Sequence, residues 1–284
     1  VNSENIIANG RRYACLTAGD GPVVLLLHGF PDLAIGWRAQ MEALAAAGFR
    51  AVAPDLLGYG DSDRPHGLAP YALDSLAGDV AALAGALGEP IHLVGHDWGG
   101  VIAWHVAMHH PDVLRSLTII NAPHPKAFRR ELARSWAQRR RSWYMLFFQL
   151  PVLPELVLRV LTRRLFASIL TEGAHETNER DAYVRALSRP GAWRAAVNYY
   201  RALFRLRPAA SRAITTPTQV LWGMRDPFLG PALIEGLEKW VPSVEVRRLP
   251  DAGHWAQWSA AGAVSAALLA FFESATDRTS DLEA

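Results

Sequence analysis

Between residues 23 and 120 the sequence repeats one pattern. A short, mostly apolar run is followed by a stretch with apolar residues every three or four positions. The runs are PVVLLLHGF, RAVAPDLLGYGDS, IHLVGHD and LRSLTIINAP. The stretches between them are WRAQMEALAAAGF, YALDSLAGDVAALAGALG and WGGVIAWHVAMHHP, the last closed by Pro111. Strands apolar on both faces, alternating with helices, predict an α/β fold with a mostly parallel central sheet covered on both sides. Ahead of it, IIANGRRYACLTAG sets Asn9-Gly10 between two β-prone runs, a hairpin signal.

The pattern breaks after the fourth run. From Lys126 to about residue 206 only helical spacing is present, in about four segments. Strands return with TPTQVLWGM and SVEVRRLP, each expected to lead into a helix, and the terminal TDRTSDLEA is expected to fray. Charge follows the same division. Residues 126–212 hold 18 basic and 6 acidic side chains, net +12, and the remainder is net −10. The reading is a core of residues 1–125 and 213–284 and an all-helical cap, or lid, of residues 126–212. The cap's place in the chain sets it over the strand ends, where open α/β sheets bind ligands.

Composition narrows the function classes. The net charge of +2 gives no global nucleic-acid signal, and Cys15, the single cysteine, allows neither an intrachain disulfide nor a cysteine zinc site. No metal or cofactor is expected. VVLLL (Val23–Leu27) is too short to span a bilayer, and the opening VNSENIIANGRRY lacks an apolar segment of signal-peptide length. The expectation is a soluble cytoplasmic protein, monomer or homodimer, acting on a small molecule without nucleic-acid or membrane partners.

The chemistry centres on VGHDWGG, residues 94–100. It follows a strand and opens a helix, the setting of the nucleophile elbow G-x-S-x-G, but Asp97 stands where serine would. The plain alternative is an aspartate capping the helix. A carboxylate is a modest nucleophile toward acyl groups and a better one toward a saturated carbon with a leaving oxygen or halide. The product is an ester of Asp97, which a second base must hydrolyse.

LPDAGHWAQW places His254 after the last strand, where that base belongs, and VLWGMRDPF offers Asp226 to hold its tautomer. The plain alternative for Asp226 is a turn residue before Pro227. The order Asp97, Asp226, His254 is nucleophile, acid, base. His28 is placed by its own motif. His66, His92, His105, His109, His110, His124 and His175 read as surface or core residues, and His96 should diverge from its neighbour at the turn. The HGFPD loop after the first buried strand can aim a backbone N–H into the site. With the amide after the nucleophile, that makes Phe30 and Trp98 the expected oxyanion hole.

At these residues the chain resembles the α/β-hydrolase superfamily over nearly its whole length. HGFPD, DLLGYGDSDRP, GHDWGG and DAGHW together resemble its epoxide hydrolase branch. Haloalkane dehalogenases share the Asp-Trp elbow, so these motifs alone do not separate the two. The cap does. Epoxide hydrolases are similar in using two cap tyrosines that hold and protonate the epoxide oxygen, one ahead of a Phe-Gln-x-Pro stretch and one in Asn-aromatic-Tyr-Arg. WYMLFFQLP supplies Tyr144 and NYYR supplies Tyr200, with Tyr199 turned about 100° away on the helix. The chain departs from relatives at Phe147, where another tyrosine is frequent, and at Leu150, where glutamate is.

The resemblance thus implies an epoxide hydrolase that makes vicinal diols through an ester on Asp97, with Tyr144 and Tyr200 as donors. Trp98, Phe30, Met145, Phe148, Phe228 and Trp255 are candidates for an apolar, substrate-binding wall. The rivals are a haloalkane dehalogenase and a catalytically silent protein whose basic cap docks on an anionic membrane.

Overall fold

The computed structural model describes residues 1–88, 90–169 and 177–283; His175 lies outside them. Eight strands form one sheet in the order β1-β2-β4-β3-β5-β6-β7-β8. The hairpin is there: β1 (Asn2–Ala8) and β2 (Arg11–Ala18) are antiparallel, and both turn residues, Asn9 and Gly10, have positive φ (51° and 72°). That is the backbone a two-residue hairpin with right-handed strands needs. β2 runs antiparallel to β4 (Arg50–Pro54). From β4 onward, through β3 (Val23–Leu27), β5 (Ile91–His96), β6 (Leu114–Ile120), β7 (Thr218–Gly223) and β8 (Val244–Leu249), every pairing is parallel.

The unbroken apolar run in β3 follows from burial on two faces. Val24 and Leu26 join the core under α1 (Arg38–Ala46) and α11 (Ala261–Glu283), with Trp37, Met41, Leu44, Leu268 and Phe272. Leu25 and Leu27 join the opposite core, which includes residues of α2 (Leu73–Leu87) and α3 (Trp98–His109). Alternating strands would leave one of these cores without a floor.

Between β6 and β7 lie α4 (Pro125–Arg134), α5 (Trp136–Arg141), α6 (Tyr144–Phe147), α7 (Leu153–Ile169), α8 (Thr177–Leu187) and α9 (Ala192–Arg205). Yet β6 and β7 pair directly and in parallel, Leu117 opposite Thr218, so the chain leaves the sheet at the end of β6 and returns at the opposite edge, where β7 begins. The edge it leaves is where β3, β5, β6, β7 and β8 all end.

Two expectations are corrected. The insertion has six described helices rather than four. Ser135 (φ −109°, ψ 113°) is extended and its hydroxyl accepts from Gln138 N, which ends α4 and caps α5 inside what reads as continuous spacing. No α-helix follows β7. Two 3-10 turns, Pro231–Ile234 and Leu237–Lys239, stand there, separated by Gly236 at φ 73°. At the C-terminus α11 extends to Glu283.

Candidate active site

Asp97 joins β5 to α3 with φ 49° and ψ −117°, a conformation that costs a non-glycine residue about 1–3 kcal/mol and needs a crowded frame to hold it. The frame is backbone against backbone. A Cβ on Gly99 would come within 2.2 Å of the Leu27 carbonyl oxygen, so only glycine lets α3 approach β3 this closely. The side chain of Asp97 does not cap α3, which sets aside the plain reading. Instead its Oδ1 accepts a hydrogen bond from the Phe30 amide at 2.8 Å. The Trp98 amide opens α3 and so belongs to the first turn, whose N–H groups have no partner within the helix.

Next to Asp97 stands His254, in the loop after β8 and ahead of α10 (Ala256–Ser259). Its Nε2 lies 3.6 Å from Asp97 Oδ2, and its Nδ1 lies 2.6 Å from Asp226 Oδ2. Asp226 is a turn residue as well as the histidine's partner, because its Oδ1 accepts from the amides of Phe228 (2.7 Å) and Leu229 (2.9 Å). Burial works against charge on all three groups, and mutual attraction outweighs it. Asp226 and Asp97 raise the His254 imidazolium to about 10. Despite its burial, the Asp97 carboxyl is held below its ordinary value by His254 and the Phe30 amide, and Asp226 is held down by His254 and its hydrogen bonds.

Lining the same cavity as Asp97 and His254 are Tyr144, which opens the single turn of α6, and Tyr200 on α9, their rings 5.9 Å apart. Tyr200 packs edge-on against Trp98 at 4.9 Å and Phe30 at 5.3 Å. Burial, reinforced by the charge of Asp97, pushes both phenols well up, so both stay protonated. Tyr199 turns away as its helical spacing requires, donating to the Leu57 carbonyl at 2.8 Å.

Two cavities meet at Asp97, Tyr144 and Tyr200. One of 670 Å³ is walled by Phe30, Phe148, Phe228, His254 and Trp255, with Arg140, Arg141 and Trp143 also lining it. The other, of 480 Å³, includes Trp98, Met145, Phe128 and Leu203. The six residues expected in the apolar wall are therefore divided between two arms. Among the described residues no group of three or more His, Cys, Asp or Glu is placed to hold a metal ion, and no helix is long and apolar enough to cross a membrane.

The profile of the α/β-hydrolase fold matches residues 22–261. The chain is 36% identical to epoxide hydrolase 4 of Mus musculus over 95% of its own length and 79% of that protein's, and also 36% identical to epoxide hydrolase 3 of Xenopus tropicalis, over 88% and 71%. The chain belongs to the epoxide hydrolase family. Among solved members, an inhibitor complex of the Bacillus megaterium epoxide hydrolase superposes with a TM-score of 0.86 at 30% identity, covering 95% of this chain and all of that one. An epoxide hydrolase from Vigna radiata superposes with a TM-score of 0.84 at 27% identity over 96% and 98%. A variant of the Bacillus megaterium epoxide hydrolase has been solved with its product, a naphthyloxy-propane-1,2-diol.

This epoxide hydrolase also has supporting residues that motif reading missed. Asn121, at the end of β6 with φ 42°, donates to Asp226 Oδ2 at 2.7 Å and accepts from the Gly223 amide at 2.8 Å. Its only signal is an amide directly after the apolar pair Ile119-Ile120 that ends the strand beside the elbow. His96 diverges from Asp97 as expected, but its Nε2 reaches the backbone carbonyl of His254 at 3.0 Å and its Nδ1 faces Gln257 at 3.1 Å. Burial lowers His96 to about 3, so it is a neutral brace rather than a second base. His28 braces the Phe30 loop, accepting the Leu56 amide at Nε2 (2.9 Å). Asp32 is buried and accepts the Tyr183 hydroxyl of α8 at 2.8 Å, tying the loop that carries Phe30 to the helical insertion.

Proposed function

We propose that this epoxide hydrolase opens its substrate by attack of Asp97 on a ring carbon, with helices of residues 126–212 serving as a cap that brings the acid groups. Oδ1 is engaged by the Phe30 amide, which leaves Oδ2 as the attacking oxygen. The ring C–O bond breaks as the Oδ2–C bond forms. The released oxygen takes a proton from Tyr144 or Tyr200. An alkoxide is far more basic than a halide and needs such a donor, and the two phenols that line the cavity with Asp97 supply it.

The ester then presents its carbonyl, Oδ1, to the Phe30 amide. With the charge of Asp97 gone, the His254 imidazolium gives its proton to the tyrosinate, and its freed Nε2 then takes a proton from water as the water oxygen adds to Cγ. The negative charge that develops on Oδ1 is met by the amides of Phe30 and Trp98. Collapse expels the diol oxygen, which takes the proton of the added hydroxyl, and this restores the Asp97 carboxylate beside a protonated His254. Asp226 keeps the imidazole oriented and stabilises its charge.

One observation carries this reading. Asp97 is strained, its side chain does not cap the helix, and it shares one cavity with a His–Asp pair and two protonated phenols. The test is mass spectrometry of His254→Gln incubated with an epoxide such as styrene oxide. The reading predicts enzyme heavier by one substrate, the addition on Asp97. Unmodified enzyme that still makes diol would overturn it. Halide release from bromoalkanes, with no diol from epoxides, would favour the dehalogenase mechanism instead.

A further inference from the structure

The large hydrophobic side chains left on the outside of this protein are not scattered. Twelve described ones are exposed, and nine of them fall between residues 136 and 161. Trp136 is 74% exposed, Trp143 63%, Leu146 65% and Val160 80%. Single exposed apolar residues are ordinary, but a contiguous set is not, because each keeps its surface in water at a cost. On α7 the exposed positions Leu153, Leu156 and Val160 recur at helical spacing, so they form one stripe, and the stripe continues into Arg163 and Arg164.

The same stretch is strongly basic. Residues 126–169 contain ten basic and two acidic side chains. Both acids are occupied, Glu131 by Arg130 and Glu155 by Arg201. Among the described residues no ion pair engages Arg140, Arg159, Arg163 or Arg164, all exposed. An apolar face ringed by unpaired arginines repels a second copy of itself and fits a surface that is negative outside and apolar beneath. The patch is also continuous with the catalytic cavity, because Arg140, Arg141 and the exposed Trp143 line the 670 Å³ arm.

We infer that the outer face of α5–α7 docks on an anionic lipid surface, setting the mouth of the larger cavity against the bilayer. The docking stands whatever reaction the cavity performs. That membrane-dissolved epoxides then enter without crossing water is a consequence that rests on the epoxide reading.

The experiment is co-sedimentation of the whole protein with vesicles of phosphatidylcholine alone or containing one-third phosphatidylglycerol. Binding is expected to the anionic vesicles and to weaken as salt rises. Arg159→Gln, Arg163→Gln and Arg164→Gln together should lower vesicle affinity about a hundred-fold, at about five-fold for each charge. Leu156→Ser with Val160→Ser should weaken binding at low salt too, where charge alone is strongest. Both variants should keep wild-type turnover of a freely water-soluble epoxide, which shows them folded. The inference is overturned if the wild type stays in the supernatant with anionic vesicles at low salt, or if the arginine variant binds as tightly as wild type. It is equally overturned if sedimentation velocity shows a dimer that the Leu156/Val160 variant dissociates, since the patch then faces a second copy.

Discussion

Nδ1 of His254 lies 2.6 Å from Oδ2 of Asp226, a hydrogen bond, whereas its Nε2 stands 3.6 Å from Asp97, too far for one and close enough for charge. The two carboxylates act together to raise the imidazolium to about 10. In the proposed mechanism, esterification changes this. It removes the charge of Asp97 and leaves Asp226 as the only carboxylate supporting the proton. The value should therefore fall when the ester forms, turning a resting acid into a base at the moment a base is needed. Stopped-flow kinetics should show an alkylation rate flat across neutral pH. Hydrolysis of the ester should lose rate toward acid with a midpoint clearly below 10. A hydrolysis midpoint at 10 or above would contradict this coupling.

The same proton affects stability. Between the ordinary histidine value of 6.5 and about 10, the folded protein holds a proton on His254 that the unfolded chain has released. Folding is then favoured by low pH, and this contribution is whole below 6.5 and lost as pH rises through 10. Thermal melts from pH 6 to 10 should therefore fall more steeply for wild type than for His254→Gln. Parallel curves would mean that the folded imidazole is neutral.

Tyr144→Phe and Tyr200→Phe each remove one proton donor while keeping the ring that packs the cavity. Each should slow ring opening by about ten-fold to a thousand-fold, the range for losing one general acid or one preorganised donor. The double variant should nearly abolish turnover. Single-turnover rates on one epoxide check this, and wild-type ring opening by the double variant would remove the phenols from the reaction.

Asn121→Ala leaves the Gly223 amide without its acceptor and takes one donor from Asp226. A buried group stripped of its partner costs about 1–3 kcal/mol, so the melting temperature should drop. Ester hydrolysis should slow more than alkylation, because Asp226 acts only through His254. Asn121→Asp sets a second carboxylate against Asp226 and should be worse than alanine. Equal losses in both steps would make Asn121 merely structural.

The clustering of Asp97, Asp226 and His254 was legible in the sequence because each sits at a strand end, and parallel strands put their ends on one edge. Periodicity located Asp97, Asp226 and His254 through β5, β7 and β8, and the register of the sheet then brought them together. Tyr144 was legible only by motif, since a single helical turn has no periodicity to show. Asn121 and His96 were not legible as supports, because their roles depend on which backbone atoms lie opposite across the fold, and the spacing of residues does not encode that. The helix missing after β7 was misread for a local reason: Gly236 at positive φ divides an apolar stretch into two short turns.

A single turnover in ¹⁸O water, with enzyme in excess over epoxide, tests the nucleophile most directly. If Asp97 forms the ester and water attacks its Cγ, the oxygen added to the first diol comes from the carboxylate. The diol should then be unlabelled, and the peptide bearing Asp97 should carry the label. If water activated by His254 attacked the epoxide directly, the first diol would carry ¹⁸O and the Asp97 peptide would not, and Asp97 would not be the nucleophile.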